Sequence, residues 1–525
     1  MSEIVDQGLA LDVIGPPPPL SEAALPPIRL QALGGYALMF AAATMVSKAV
    51  SFLMLPLYTR YLTPADYGVI ELVELSLDIV SIIAGSRLLS GVFRFYHKAN
   101  TEDERRSVMS TALVTICIGY ATVGLLVFLA APLVSTLALG DAKFTGIVRI
   151  AAVSLATQAL VFVPPAFFRL RGQFRLVVAT QLVRLALQVG CNIVLLTVLH
   201  MGAKSMFLGT LVANVLVGGY VSFLAWRQVG WRFSPRVAGD LYRYGSPLIL
   251  TQVATFVLTF GDRYFLRAAT DLSSVGRYTL AYQFAFLLAT LGQTPFDLVW
   301  EPRRFEVARR PDRDRIYARV FIYLNVVLFT GAVGLSLFVH AALHLMTKPA
   351  FYGAADVVPV LLMAIILQSW AGSQDIGILV RERTHYVAIA NWVAAGTILV
   401  AYALLVPRYA GWGAAIATVI GYAVRYGCTY AFAQRLWPVR YEWKPVLRIA
   451  ALAVATVLIG YLIPAGPLAY SLMLRTLLLA GYIVLVWMLP ILSTSDKHAA
   501  RQALAALMGR AAAALTPDAG SDRAS

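Results

Sequence analysis

Apolar residues run along this chain in long blocks, separated by short turns and clusters of arginine. Blocks of about 17–25 apolar residues are long enough to cross a bilayer as helices. Six fall at 34–58, 68–93, 108–136, 145–168, 176–199 and 203–226. Six more fall at 244–268, 275–299, 317–343, 354–380, 385–406 and 410–433. Two further blocks, 446–463 and 468–492, close the series, the first ending at Pro464. The pattern predicts an all-α integral membrane protein with about 14 transmembrane helices.

Polar positions intrude most in the first hairpin. Between Lys48 and Asp78, two apolar runs flank a turn through Thr63-Pro64-Ala65-Asp66-Tyr67-Gly68, yet the stretch carries Lys48, Glu71, Glu74 and Asp78. A charge near the bilayer centre costs about 2.5–3.5 kcal/mol on insertion scales, so the hairpin requires a polar interior to face. Glu71, Glu74 and Asp78 are spaced i, i+3, i+7 and therefore share one helix face, continued by Ser81 and Gly85.

The hairpin is also repeated. Phe52, Leu57-Tyr58 and Thr63-Pro64-Ala65-Asp66-Tyr67-Gly68 are echoed by Phe260, Phe265-Leu266 and Asp271-Leu272-Ser273-Ser274-Val275-Gly276, at an offset of 208 residues. Six helices per unit is an even number, so both units keep the same orientation, as in a parallel repeat about an axis along the membrane normal. The predicted organisation has six parts. Residues 1–33 form an acidic, Pro-rich cytoplasmic tail, disordered by composition, and 34–226 a first six-helix lobe. Residues 227–243 are a basic cytoplasmic linker, and 244–433 a second lobe. Residues 434–492 hold two extra helices, and 493–525 a cytoplasmic tail. In that tail Leu504, Leu507, Ala511 and Leu515 share a face that fits a helix lying on anionic lipid, and a frayed Ala-rich tail fits equally.

Composition agrees with the pattern. Of 525 residues 59% are hydrophobic and 13% charged, with mean hydropathy +0.73, whereas soluble domains carry about a quarter charged residues. The net charge of +16 comes from short loops rather than from a nucleic-acid-binding face. With both termini cytoplasmic, 29 of the 43 Lys and Arg fall on the cytoplasmic side and 10 opposite, and seven Arg lie in Trp300–Arg319. That bias sets the orientation. Cys117, Cys191 and Cys428 sit in apolar runs, which indicates no disulfide framework, and the N-terminus lacks the pattern of a signal peptide.

Motifs for chemistry are weak. Asp312-Arg313-Asp314 has D-x-D spacing but no nucleotide-binding domain around it. His340 and His344 lack the third ligand of a metal site, and no Walker A sequence occurs. The sequence therefore calls for no cofactor, no metal and no enzymatic activity.

The phrase LPLYTRYLTPADYGVIEL, with YGSPLILTQVATFVLTFGDRYFL and SSVGRYTLAYQFA in the second half, resembles the polysaccharide-export (Wzx-type) branch of the multidrug/oligosaccharidyl-lipid/polysaccharide exporter superfamily. The resemblance covers residues 34–433, with the closing helix pair as in longer members. It implies two six-helix lobes around a central cavity that opens alternately to either side of the bacterial inner membrane. The implied activity is a flippase for an undecaprenyl-pyrophosphate-linked oligosaccharide, serving exopolysaccharide, capsule or O-antigen synthesis. The implied partners are that lipid-linked substrate, anionic lipids, and polysaccharide polymerase and chain-length or export proteins. Three alternatives stay open: a lipid II flippase, a multidrug or cation antiporter of the same superfamily, and a membrane polysaccharide polymerase or ligase.

Against that cargo the buried cations become candidate phosphate ligands. At 1.5 Å per residue, Arg87 lies roughly 28 Å from the outer face, Arg184 roughly 12 Å from the cytoplasm and Arg425 roughly 22 Å from the outer face. All three fall in the cytoplasmic half, where guanidinium can hold phosphate oxygens bidentately or snorkel to headgroups. Lys48, some 21 Å along the first helix, is expected to line the cavity and to pair with Asp78 or Glu74. Glu71, Glu74 and Asp78 read either as a structural ion pair or as an H⁺- or Na⁺-coupling site. Asp262-Arg263 matches the family's Asp-Arg pattern near the periplasm, where the pair is expected to order the turn into the next helix. Asp297, Glu301 and Asp375, beside the Arg-rich loop, are expected in gating or structural ion pairs. Tyr282, Gln283, Trp370, Gln374, Asn391 and Trp392 are candidate sugar contacts.

Overall fold

A computed structural model describes residues 30–86, 88–463 and 467–491. The expected N-terminal tail through residue 29, Arg87 and the expected C-terminal amphipathic helix lie outside the described residues. Among those described there are helices and turns and no strand.

Fourteen helical segments follow in order. The first lobe contains α1 (Leu30–Leu53, continued by Leu55–Tyr61), α2 (Pro64–Ser81, then Leu88–Lys98) and α3 (Glu102–Leu129). It is completed by α4 (Thr145–Ala156 and Ala159–Leu170), α5 (Phe174–Thr197) and α6 (Lys204–Ala213 and Gly219–Val229). The second contains α7 (Pro235–Ala269), α8 (Leu272–Leu288, then Thr294–Val307), α9 (Arg313–Met346) and α10 (Val358–Ser373 and Ile376–Val380). A 52-residue run, His385–Leu436, is broken at Ala410 (φ 47°) into α11 and α12. The chain closes with α13 (Trp443–Leu462) and α14 (Leu468–Met488).

Ten of these helices are long and apolar enough to cross a membrane, or eleven if the α7 pieces Pro235–Ser246 and Ile249–Ala269, bent by 42°, count as one span. Length and composition alone therefore do not confirm the expected count of fourteen among the described residues, for reasons visible in the helices. Residues 385–436 count once despite the break at Ala410. The segments α2 and α8 carry charges and are interrupted, α2 by a kink at Gly85 (φ 116°) and α8 by a π-turn, Ala289–Gln293.

The repeat is visible in matching detail. Thr63 caps α2 through a capping box with Asp66, with Pro64 in the first turn, and Asp271, 208 residues on, caps α8 by accepting from the Ser274 amide at 2.8 Å. Hydrogen bonds from Ser274 hold the Asp271 carboxyl below its usual range, so the cap is ionised at neutral pH. The two capped helices then cross at their starts. A Cβ on Gly68 would stand 2.1 Å from the Leu272 carbonyl oxygen, and one on Gly276 would stand 1.8 Å from that of Pro64. Gly68 and Gly276 are repeat equivalents, and so are Pro64 and Leu272. The contact is reciprocal, as at a two-fold axis, and only glycine lets the backbones approach so closely.

That crossing closes the end of the molecule holding the α1–α2 and α7–α8 turns, which the charge bias predicts to be the outer end. Two further bonds join the lobes there: Thr59 Oγ1 to the Met346 carbonyl (3.0 Å) and Arg267 Nη2 to the Leu139 carbonyl (2.8 Å). Deeper in, Phe52 of α1 meets Phe284 of α8 edge-on at 5.6 Å. Inward of that pair Met45, Val46 and Lys48 on α1, and Leu291, Leu298 and Val299 on α8, are exposed. On the opposite side α2 and α7 stay in contact toward the inner end, where Phe95 packs on Tyr244.

Candidate functional site

The acidic face of α2 lines a cleft in the first lobe. Its outer part, about 260 Å3, is walled by α1, α2, α5, α6 and α8 and includes Tyr58, Glu71, Glu74, Gln188, Asn192, Thr279 and Gln283. Its inner part, about 250 Å3, includes Glu74, Asp78, Gln158, Arg184, Gln188 and Asn214. Glu74, Gln188 and Thr210 belong to both parts, so the two adjoin along the same polar face. The i, i+3, i+7 spacing places all three carboxylates along it.

The wall facing them comes from α5. Arg184 donates from Nη1 to Asn214 Oδ1 at 3.0 Å, and Gln188 donates to Thr210 Oγ1 at 2.9 Å. Asn192, with its amide oriented to satisfy its neighbours, donates to the Gln188 and Ser205 carbonyls at 3.2 and 3.1 Å. Sequence reasoning found Arg184 but missed Gln188 and Asn192. The signal was present, because Arg184, Gln188 and Asn192 recur every four residues and so lie on one face.

Glu71 also reaches across to the second lobe. Arg263, 1% exposed on α7, sets Nε 3.3 Å from Glu71 Oε1 and Nη1 2.7 Å from Asp262 Oδ1. The Thr259 carbonyl also accepts from Nη1 (2.9 Å), and the Tyr278 hydroxyl donates to Asp262 Oδ2 (2.9 Å). The guanidinium lies over the Tyr282 ring, 3.9 Å from its centroid. Beside it, Ser76 Oγ and the Tyr264 hydroxyl meet at 2.9 Å, again between lobes. The expected Asp262–Arg263 pair therefore exists and touches α8 through Tyr278. It also extends to Glu71, a partner the sequence did not reveal.

Lys48 is placed differently from expectation. It is exposed, lines neither part of the cleft, and has no carboxylate at ion-pair distance among the described residues. The Lys48–Asp78 or Lys48–Glu74 pair is not formed; Arg263 pairs with Glu71, and Arg184 lines the inner part of the cleft with Glu74 and Asp78. The remaining candidates lie at the inner end of the second lobe. Arg304 Nη1 binds Asp375 Oδ1 at 3.0 Å. Asp297 is half-buried and Glu301 exposed, and neither has an ion-pair partner among the described residues. Arg425, half-buried on α12, likewise has none. Of the candidate sugar contacts, Gln283 lines the cleft and Tyr282 is buried beneath Arg263. Trp370 and Gln374 are engaged in the core with Asn325 (2.8 Å) and Tyr426 (2.9 Å). Asn391 is buried and Trp392 exposed.

The second lobe holds no counterpart to the cleft's charges. Glu71, Glu74 and Asp78 correspond at the repeat offset to Thr279, Tyr282 and Phe286, and Lys48 to Phe256. Tyr278, Tyr282, Tyr402 and Tyr422 fill that lobe's interior and are all buried. A cleft with this lining can bind a cation between carboxylates, and can offer amide and guanidinium donors to an anion or a polyol.

Comparison with known proteins adds the family. The profile of a family described as polysaccharide biosynthesis protein matches residues 57–329. No curated protein matches at the level of sequence. Among solved structures, the lipid II flippase MurJ in an inward closed conformation superposes with a TM-score of 0.71 at 12% identity, covering 86% of this chain and 99% of that one. A multidrug resistance MATE family transporter of the MOP superfamily, inward-facing, superposes with a TM-score of 0.56 at 14% identity, covering 77% and 95%. An outward-facing structure of such a transporter gives 0.52 at 14%, covering 79% and 96%. The chain shares their fold: an all-α, multi-pass membrane architecture of two repeated lobes.

Proposed function

We propose, on the premise that this chain belongs to the polysaccharide biosynthesis protein family, that it is a flippase. Its cargo is an undecaprenyl-pyrophosphate-linked oligosaccharide repeat unit, moved from the cytoplasmic to the periplasmic leaflet of the bacterial inner membrane. The repeat unit then feeds exopolysaccharide, capsule or O-antigen assembly, where a polymerase and chain-length or export proteins take it on. Both termini are cytoplasmic in this reading, and residues 34–226, 244–433 and 434–492 act as first lobe, second lobe and appended pair.

The observation that carries the reading is the one-sided cleft. Arg184 offers guanidinium donors beside Gln158, Gln188 and Asn214, a set suited to a pyrophosphate carrying sugars. Arg87 and Arg425 serve as further phosphate contacts in the cytoplasmic half. Glu74 and Asp78 bind H⁺ or Na⁺ and couple transport to its gradient. The outer end opens when Glu71 releases Arg263, which keeps Asp262 and so is never left a bare buried charge. Asp375 with Arg304, and Asp297 near them, belong to the inner gate.

Deletion in the native host tests this. The lipid-linked repeat unit should accumulate on the cytoplasmic leaflet, and accumulation on the periplasmic leaflet would overturn the flippase reading in favour of a polymerase. Complementation with Arg184→Ala should restore transport at least about tenfold less well than wild type, given the strength of charge-assisted bonds to phosphate. A second reading is favoured by the superposition on a lipid II flippase: the cargo would be lipid II. Rescue of cells depleted of their own lipid II flippase would support that cargo, and failure to rescue would exclude it.

A further inference from the structure

The helices α13 and α14 build a second candidate site, away from the cleft. A cavity of about 670 Å3 runs between α9, α10, α12 and α13, walled by apolar residues such as Phe329, Met363, Ile416 and Leu458. Its lining belongs to the outer halves of those helices. Phe329, at its inner limit, is about 25 Å along α9 from Met346, near the middle of that helix. Toward the outer end this cavity shares Ser336, Val457 and Tyr461 with a smaller one of about 160 Å3, lined also by His340, Gly460 and Arg475.

Arg475 is the unusual member. It projects from α14 seven residues after that apolar helix begins, about 10 Å along it, so its charge is costly unless an anion meets it. Its Nη1 donates to the Leu337 carbonyl, its Nε is buried with no hydrogen-bond partner, and no carboxylate lies at ion-pair distance among the described residues. The one nearby acid among the described residues, Asp356, lines the larger cavity and lies 3.5 Å from His340 Nε2 rather than against Arg475. Tyr461 meets the His340 ring edge-on at 6.1 Å. The result is an apolar slot with an unpaired guanidinium at its outer end.

We propose that these two cavities form one binding site for an anionic phospholipid of the outer leaflet. The phosphodiester sits on Arg475, which supplies the missing counter-charge, and an acyl chain fills the slot. The lipid then fastens α13 and α14 to the second lobe through α9. Nothing in this depends on the cargo, so its failure would leave the flippase reading untouched.

The test is co-purification of phosphatidylglycerol with the full chain, counted by native mass spectrometry after exchange into a mixture of phosphatidylglycerol and phosphatidylcholine. Wild type should retain phosphatidylglycerol in preference. Arg475→Ala should weaken retention about tenfold, and Arg475→Lys should keep most of it. Val457→Trp, which fills the junction of the two cavities without removing a charge, should weaken retention similarly. It carries the test alone if Arg475→Ala fails to fold. Unchanged retention in the folded variants, no preference between the two lipids, or displacement of phosphatidylglycerol by equimolar undecaprenyl phosphate would each overturn the proposal.

Discussion

Arg263 shows how much one side chain can organise. Burial of an ion is costly, and it is offset here by two carboxylates, a backbone carbonyl and an aromatic face on all sides of one guanidinium. The two carboxylates are not equivalent, because Asp262 is its neighbour in sequence and Glu71 belongs to the other lobe. Glu71→Gln should therefore leave Arg263 paired and the fold intact, while weakening the hold of one lobe on the other. Labelling of a Thr279→Cys reporter from the periplasmic side should rise severalfold in that background; unchanged labelling would mean that Glu71 plays no part in the outer seal. Arg263→Ala leaves Asp262 buried without its cation and should cost about 3–5 kcal/mol of stability, read as a large drop in melting temperature.

The residue scale is also where sequence reading falls short. The spacing of Glu71, Glu74 and Asp78 was legible because a helix fixes which positions share a face. Their partners were not, since which cation faces them depends on how helices rotate against one another. Lys48 looked well placed by depth along α1, but depth carries no information about azimuth, and its side chain lies outside the cleft. The stripe Arg184, Gln188, Asn192 was readable in principle and was masked by looking for charges alone.

At the scale of elements, the repeated turns decide the geometry of the outer end. Thr63 and Asp271 start α2 and α8 with caps, and Gly68 and Gly276 let those helices cross without side chains between them. The sequence echo was legible because caps and turn glycines are local signals. The reciprocal contact between the echoes was not, because it is a long-range approach. Gly276→Val places carbon where the Pro64 carbonyl now stands, 1.8 Å from its oxygen. The outer end should then be unable to close, giving a folded protein open to periplasmic labelling at Thr279→Cys and inactive in transport. Wild-type labelling together with wild-type transport would show that the crossing is not a gate. A kink at Gly85 (φ 116°) in α2 and a π-turn, Ala289–Gln293, in α8 both lie inward of these glycines. Such breaks let one half of a helix swing while the other stays packed.

The whole molecule is symmetric in plan and asymmetric in chemistry. Both lobes cap and cross their first hairpin alike, yet one interior is a cleft lined by three carboxylates and the other is packed with four tyrosines. The class of fold was readable from apolar block lengths and loop charge, because a bilayer constrains both strongly. The exact span count stays unconfirmed, since α2 and α8 are interrupted and carry charges. In the mechanism proposed above, such a lobe pair would divide labour: the tyrosine-filled lobe as the packed partner, and the hollow lobe as the holder of exchangeable ions and cargo.

That division is the central claim, and reconstituted vesicles test it most directly. The purified chain in sealed proteoliposomes should move a short oligosaccharide-diphosphate-polyprenol between leaflets, faster under an imposed H⁺ or Na⁺ gradient. Glu74→Gln and Asp78→Asn should each abolish the gradient's effect while leaving the protein folded, and Tyr282→Phe at the equivalent position of the second lobe should not. Gradient-stimulated movement that survives in both carboxylate variants, or is lost in Tyr282→Phe with the fold intact, would contradict the account.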